Sequence, residues 1–324
     1  MTHNRTGASG PQEGKPVVKP AVVFYKQLGD TVLLQPALAE LARQSGAPVM
    51  LHHRSGFEPL VELMGPILSH ETNSRASSLW AFEPGSRTAW KALMLPAGEK
   101  TLCLTDPKNE RWYHRFVFQT VRVRRSQGVY RARAYWQAVA DTPGSAFNPP
   151  ELSRPPDSWA AKSDPSGPYI LLHAGSSLRR KEWPAKHWVR LVSLMKDAGF
   201  PRPILSGGTG LSEMEHCRSI QEQSPEAITN LCGALNLKGF LHLVSRADMV
   251  VAVDGSASHL AASFKVPCVT LFGPTRSDDW HTPAPGQVAL SAASPGPDTK
   301  PKMEDLDPMR VFSKIMELAR QHGN

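Results

Sequence analysis

Three short segments of this chain set small or hydroxylated residues beside cations, a composition that lets backbone N–H groups close on an anion. They are His173-Ala174-Gly175-Ser176-Ser177 with Arg179, Arg180 and Lys181 behind it, Ser206-Gly207-Gly208-Thr209-Gly210, and Asp254-Gly255-Ser256-Ala257-Ser258-His259. Each follows an apolar run that reads as a strand and precedes a helical pattern. The helix N-terminus at such a junction adds partial positive charge, so phosphate is the ligand these turns fit. One Gly-rich turn can end a strand with no ligand at all. Three such turns with cations nearby favour phosphate. The P-loop pattern G-x-x-x-x-G-K-[ST] is missing, and no G-x-G-x-x-G follows the first strand, which disfavours kinase-like NTPases and ordinary dehydrogenases.

Asp30 stands between the first apolar run and the helical pattern after it. A carboxylate there could take a proton from a hydroxyl group, or could simply cap the helix. Lys181 could neutralise a leaving diphosphate, or be a solvated cation ahead of a helix that begins at Pro184. His259 could donate to a phosphate or pack in the core. Arg122, Arg124, Arg125, Arg131 and Arg133 read first as a solvated face, with an anionic acceptor or a membrane surface as the functional alternative.

The elements that must position these residues follow from periodicity. Ala21-Val22-Val23-Phe24-Tyr25 begins the fold as a strand, and Leu34, Ala37, Leu38 and Leu41 recur at helical spacing. Further strands are expected at 48–52, 66–69 and 100–105, and helices near 86–95, 109–121 and 130–140. From Tyr169 the alternation is clearer. Strands YILLH, PILSG, DMVVAV and CVTLF are separated by helices, which implies a parallel, doubly wound sheet. A last helix is expected at about 307–321. The division expected is a polar tail at 1–20, an N-terminal Rossmann-like domain at 21–150, a Pro- and Ser-rich linker at 151–167, a C-terminal Rossmann-like domain at 168–304, and a terminal helix at 305–324. In a doubly wound sheet ligands bind beyond the carboxyl ends of the strands, so the three turns should converge.

At 324 residues, 40% hydrophobic and 20% charged, the chain suits two globular domains. Cys103, Cys217, Cys232 and Cys268 lie far apart, which suggests neither a disulfide framework nor a zinc site and fits a reducing cytoplasm. No signal-peptide pattern and no long apolar run is present, so export and membrane spanning are not expected. The net charge of +8 favours an anionic partner. A nucleotide, a phosphorylated glycan, nucleic acid and an anionic membrane all qualify, although the scattered basic residues and missing RNP and zinc-finger signatures make nucleic acid the poorer fit.

Taken in order, these residues resemble glycosyltransferase family nine, the heptosyltransferases of lipopolysaccharide core synthesis. Leu28-Gly29-Asp30-Thr31-Val32 with Pro36-Ala37-Leu38 resembles the family's L-G-D-x-x…P-A-L signature. His173 to Ser177 with Lys181-Glu182-Trp183-Pro184 resembles its H-x-G/T…K-x-W-P segment, and Asn230-Leu231-Cys232-Gly233 and Ala247-Asp248 match shorter pairs. Asp254 through His259-Leu260-Ala261-Ala262, Pro267 and Phe272-Gly273-Pro274-Thr275 resemble the D-[TS]-G-x-x-H…A-A…P…[FY]-G-P-T block. In one departure, Gly255-Ser256 puts the glycine one place early, which leaves the conformation of that loop open.

The resemblance implies a GT-B architecture, two Rossmann-like domains facing a central cleft, often with the terminal helix packing back on the first domain. It implies an inverting transferase with no metal or other cofactor. Asp30 would be the general base. Ser176, Ser177, Lys181, Asp254, Gly255, Ser256, Ala257, Ser258 and His259 would bind a nucleotide-diphosphate sugar, with ADP-heptose the first expectation. The acceptor would be a glycan or lipid-linked glycan, and the place the cytoplasm or the inner face of its membrane. A catalytically degenerate nucleotide-sugar-binding protein, a sugar-nucleotide epimerase or hydrolase, and a nucleic-acid-binding protein remain as alternatives at this point.

Overall fold

The computed structural model describes residues 19–71, 74–123, 128–140, 145–224, 226, 228–293 and 300–322. The expected tail at 1–20 lies outside them except for its last two residues. Those two lead into the inner strand β1 and bond to both of its neighbours: the Lys19 carbonyl accepts from Ser77 N–H, and the Pro20 carbonyl from Met50 N–H.

The first half runs β1 (Ala21–Phe24), α1 (Leu28–Ser45), β2 (Met50–His53), α2 (Glu58–Leu63), β3 (Ala76–Phe82), α3 (Ser86–Met94), β4 (Ala97–Leu104), β5 (Thr120–Val123) and α4 (Arg131–Val139). The second runs β6 (Ile170–His173), α5 (Ala185–Asp197), β7 (Ile204–Ser206), α6 (Leu211–Gln223), β8 (Thr229–Asn230), α7 (Leu237–Arg246), β9 (Met249–Val253), α8 (Ser256–Ser263), β10 (Cys268–Phe272), α9 (Ser277–Trp280), β11 (Gln287–Ser291) and α10 (Pro308–His322).

Both sheets are parallel throughout, in the orders β2-β1-β3-β4-β5 and β11-β10-β9-β6-β7-β8. In each, the direction of winding reverses at its first strand: β1 lies between β2 and β3, and β6 between β7 and β9. A crevice opens at such a switch point, because neighbouring connections leave to opposite faces. Asp30 follows β1, Ser176 follows β6, and Asp254 follows β9.

The strands alternate as buried two-sided strands must. Val22 and Phe24 face one apolar cluster and Ala21 and Val23 another, while Leu171 and Val250 oppose Ile170, Leu172 and Val251. The middle cluster spans both halves: Leu33, Leu34 and Leu38 of α1 share it with Ala257, Leu260 and Ala261 of α8. At about 1.5–3 kcal/mol for each fully buried large aliphatic side chain, this shared core holds the two sheets together.

Several expectations need correction. The strand at 66–69 is a 3-10 turn at Gly65–Ile67 with a single bridge, Val49 to Leu68, because Pro66 brings no N–H to a ladder. The helix at 109–121 is two 3-10 turns, Pro107–Asn109 and Trp112–Phe116, followed by β5. Trp112 and Phe116, four residues apart in this stretch, both have exposed side chains. Strands β3, β5, β8 and β11 were not anticipated. The terminal helix packs on its own half: Val311, Ile315 and Leu318 enter the cluster with Trp188, Leu191 and Leu271. Trp183 Nε1–H fixes the approach to that helix by donating to the Leu306 carbonyl at 2.9 Å.

Candidate functional site

The carboxyl ends of the two sheets enclose a cavity of about 850 Å³, walled by the start of α1, by the turns after β6 and β7, and by the start of α8. Asp30, Ser176, Ser177, Lys181, Asp254, Gly255, Ser256 and His259 all line it. Ala257 and Ser258 do not. They are buried behind the turn, and the Ser258 hydroxyl donates to the Gly255 carbonyl at 2.9 Å. The expected contact of these two residues with the diphosphate is through their backbone, which the burial of their side chains leaves unaffected.

Asp30 sits in the first turn of α1, one turn inside the N-cap residue Gln27, so its carboxylate does not serve as the cap. Burial pushes its carboxyl above the ordinary carboxylate range, opposed by Lys26, Arg131, hydrogen bonding from the Gln27 backbone, and Lys181. A buried carboxylate with this balance is a stronger base than a free one, and the surrounding cations keep it ionisable. Arg131 is the neighbour that composition alone misassigned to a solvated face. It is half-buried, donates to Thr105, and lays its guanidinium 4.9 Å from the Trp280 ring. Arg133 and Arg122 lie over Phe147 and Trp80, while Arg124 and Arg125 are outside the described residues.

Across the cavity, Lys181 Nζ lies 2.6 Å from Asp254 Oδ2, and the Thr275 hydroxyl donates to the same oxygen at 2.8 Å. The Asp254 carboxylate is thus engaged by Lys181 and Thr275 and holds the lysine in place. An ammonium has three donors, so Lys181 keeps capacity for an anion. The start of α8 offers backbone N–H groups, because its cap Gly255 makes no side-chain capping bond.

Gly255 has extended backbone, φ 176°, and a β-carbon there would meet only the Val253 carbonyl at 3.8 Å. The early glycine therefore costs this loop nothing. The glycine that sterics do require is Gly29, whose β-carbon would lie 2.9 Å from His259 Cδ2 and 3.3 Å from Ser256 Cα. The L-G-D motif holds a glycine because two helix starts from opposite domains meet at this point.

His259 and His173 are both held neutral, their pKa values lowered to about 4, chiefly by burial. His173 Nδ1 pairs with the Ser206 hydroxyl at 2.9 Å. A neutral His259 can offer a hydrogen bond but no net charge to a phosphate.

Glu213 was missed. It stands in the first turn of α6, accepts from Gly208 N–H at 2.8 Å, and lines the cavity. A β-carbon on Gly175 would lie 2.5 Å from its carboxylate. A carboxylate beside an anion-binding turn suits sugar hydroxyls rather than phosphate. The signal available in the sequence was an acid three residues after a Gly-rich turn.

Comparison with known proteins agrees with this geometry. The family described as glycosyltransferase family 9 (heptosyltransferase) matches residues 92–309, more than half of the chain. Lipopolysaccharide heptosyltransferase 1 of Pseudomonas aeruginosa is 28% identical over 161 residues, 50% of this chain and 44% of that protein. The match thus spans less than half the length of that relative. Among solved structures, a glycosyl transferase family 9 protein from Veillonella parvula superposes with a TM-score of 0.78 at 15% identity, covering 94% of this chain and 98% of the other. The E. coli ADP-heptose lps heptosyltransferase II superposes with a TM-score of 0.76 at 19% identity, covering 95% and 100%. The fold is the GT-B architecture of these proteins.

Proposed function

Since the chain belongs to glycosyltransferase family 9, we propose that it is an inverting glycosyltransferase that moves heptose from ADP-heptose to a glycan or lipid-linked glycan of the lipopolysaccharide core. The observation that carries this reading is one cavity with a buried carboxylate from the N-terminal domain, Asp30, facing Lys181 and the start of α8 from the C-terminal domain. The donor is suggested by the name of the E. coli structure, an ADP-heptose heptosyltransferase.

In this mechanism the acceptor hydroxyl gives its proton to Asp30 and its oxygen attacks the anomeric carbon. The bond from that carbon to the diphosphate oxygen breaks, and ADP leaves with the electron pair. Lys181 and the backbone N–H groups at the start of α8 stabilise the leaving diphosphate, with hydrogen bonds from Ser176, Ser177, Ser256 and His259. Glu213 accepts from hydroxyl groups of the nucleotide. Apposing base and donor in one closed site can contribute on the order of 7 to 11 kcal/mol to the barrier reduction. The domain division at 151–167 and a cytoplasmic setting belong to the same proposal. No helix among the described residues is long and apolar enough to cross a membrane.

The test is ADP release from ADP-heptose with a lipid A-linked core acceptor, measured with and without that acceptor. Acceptor-dependent release supports transfer. Equal release without acceptor would point to hydrolysis, and no release would remove the reading.

A further inference from the structure

Two of the four cysteines, set far apart in the sequence, are brought together behind the donor cavity. Cys217 lies on α6 and is wholly buried, while Cys232 lies just after β8 and is half-buried. A β-carbon on Gly207 would stand 3.3 Å from Cys217 Sγ and 2.6 Å from Cys232 Sγ, so both sulfurs press on one face of that glycine. The Cys232 thiol donates to the Gly208 carbonyl at 3.5 Å, and the Cys217 thiol reaches the Ser206 carbonyl at 3.8 Å. The pair therefore sits beneath the turn after β7, bonded on either side of Gly207.

The two thiols are chemically unequal. A hydrogen bond from Cys217 holds Cys232 below the ordinary thiol range, while the same bond and burial push Cys217 up. A partly exposed thiol that ionises easily is the one an oxidant attacks, and a thiol at its side resolves the product. Cys103 and Cys268 are both buried, and burial pushes Cys268 up to about 12.

The turn has no slack to absorb a change at the sulfurs. The same β-carbon position on Gly207 is 3.2 Å from Gly175 Cα in the turn after β6, so glycine packs on glycine between two turns that line the cavity. Glu213 stands one helical turn before Cys217 on the same face of α6, and it accepts from Gly208 N–H at 2.8 Å. Gly233, next to Cys232, donates to the Gly207 carbonyl at 3.5 Å. A disulfide holds its sulfurs about 2.05 Å apart. Drawing α6 and the segment after β8 together to reach that distance carries Glu213 and Gly233 along and reshapes the turn.

We propose that Cys217 and Cys232 form a peroxide-sensitive dithiol, whose oxidation to a disulfide displaces the turn at 206–210 and expels the nucleotide. The Cys232 thiolate attacks a peroxide oxygen, the O–O bond breaks, hydroxide leaves, and Cys232 becomes a sulfenic acid. The Cys217 sulfur then attacks the Cys232 sulfur, the S–O bond breaks, and the departing hydroxide takes up the Cys217 proton as water. Two thiols and one hydrogen peroxide thus yield one disulfide and two waters, with two electrons passing from sulfur to oxygen. The thiol chemistry stands by itself, and the loss of nucleotide rests on the donor-site reading above.

The experiment treats the full chain with hydrogen peroxide, then counts thiols in denaturant, maps linked peptides by mass, and measures amide exchange and ADP affinity. Two of the four thiols should disappear and return with dithiothreitol, with Cys217 joined to Cys232. Amide exchange across 206–213 should rise by roughly tenfold or more in the oxidised protein. ADP affinity should fall by roughly tenfold or more, as for the loss of one charge-assisted hydrogen bond, and recover on reduction. Cys217→Ala should leave a Cys232 sulfenic acid that dimedone traps, and Cys232→Ala should form no disulfide. Survival of all thiols, a different pairing, or a Cys217–Cys232 disulfide with unchanged exchange and ADP affinity overturns the proposal. If the reduced protein binds no ADP, the nucleotide step falls with the donor-site reading, and the thiol count and amide exchange decide the rest.

Discussion

Gly29 of α1 and His259 of α8 meet across the domain boundary so closely that a β-carbon on Gly29 would fall 2.9 Å from the imidazole Cδ2. Gly29→Ala should therefore force the two helix starts apart. Overpacking of this kind costs about 1 to 3 kcal/mol, partly offset by the roughly 1 kcal/mol that alanine gains over glycine in a helix. Turnover should fall further than stability, because the displaced residues carry the site. Thermal melting with steady-state kinetics checks this, and a variant with unchanged activity would mean the contact relaxes without cost.

Asp30→Asn should reduce kcat by about 10² to 10⁴, the usual contribution of a positioned general base. It should also stabilise the fold at neutral pH. Burial raises the folded pKa of Asp30, so the folded state holds a proton more tightly than the unfolded chain, and stability falls as pH rises through the folded value. The asparagine has no charge to bury, so its advantage over wild type should grow from below pH 4 toward neutrality. Chemical denaturation across that range decides; an advantage that shrank with rising pH would contradict the burial.

Lys181 and Asp254 should not behave as equals in nucleotide affinity. Lys181→Ala removes a cation from the donor site and leaves a buried carboxylate with only Thr275, which should weaken ADP binding by roughly tenfold or more and cost about 3 kcal/mol of stability. Asp254→Asn keeps the Thr275 partner and frees the ammonium, so ADP binding should hold or tighten. Calorimetric titration of both variants separates positioning of the lysine from direct contact with diphosphate; equal losses would refute the division of labour.

His173 and His259 predict an acid limb of stability. Each falls from an ordinary 6.5 to about 4, so the folded state resists protonation that the unfolded chain accepts. Their stabilising contribution is full above 6.5 and lost as pH falls toward 4, on the order of 3 kcal/mol each. His173→Gln should flatten this limb by about half and leave the neutral-pH nucleotide affinity close to wild type. Melting curves at stepped pH would show it, and an unchanged limb would mean another group titrates.

The parts of the fold that were legible in the sequence were those governed by long, regular apolar patterns. The strands YILLH and DMVVAV, the helix of Trp188, Leu191, Val192 and Met195, and the Pro-rich connection all stand out. The missed strands are short or partly exposed: β8 has two residues, and β11 keeps only Leu290 fully inside. The helix expected at 109–121 resolved into two 3-10 turns and a strand, because helical spacing over a short stretch does not say whether that stretch meets a core. In the site, Asp30, Lys181 and Asp254 were legible from their place beside Gly-rich turns. The Arg131–Trp280 stack, the bond from Thr275 to Asp254, and Glu213 beneath Gly175 join residues remote in sequence or hidden behind a turn, and only the folded chain brings them together.

The placement of α10 has a mechanical result. Because that helix stays with the second sheet, the only described stretch of chain that crosses between the halves is the Pro-rich one. That stretch is bonded to both, with Ser153 N–H on the Leu63 carbonyl and Leu152 N–H on the Ser263 carbonyl. A single tether does little by itself to fix the angle between the halves. Their alignment must then come from the shared apolar core and from contacts such as Tyr130 with Thr282 at 2.8 Å and Gly29 with His259. A protease cut in that tether would leave two fragments that stay bound to one another through the apolar seam between α1 and α8.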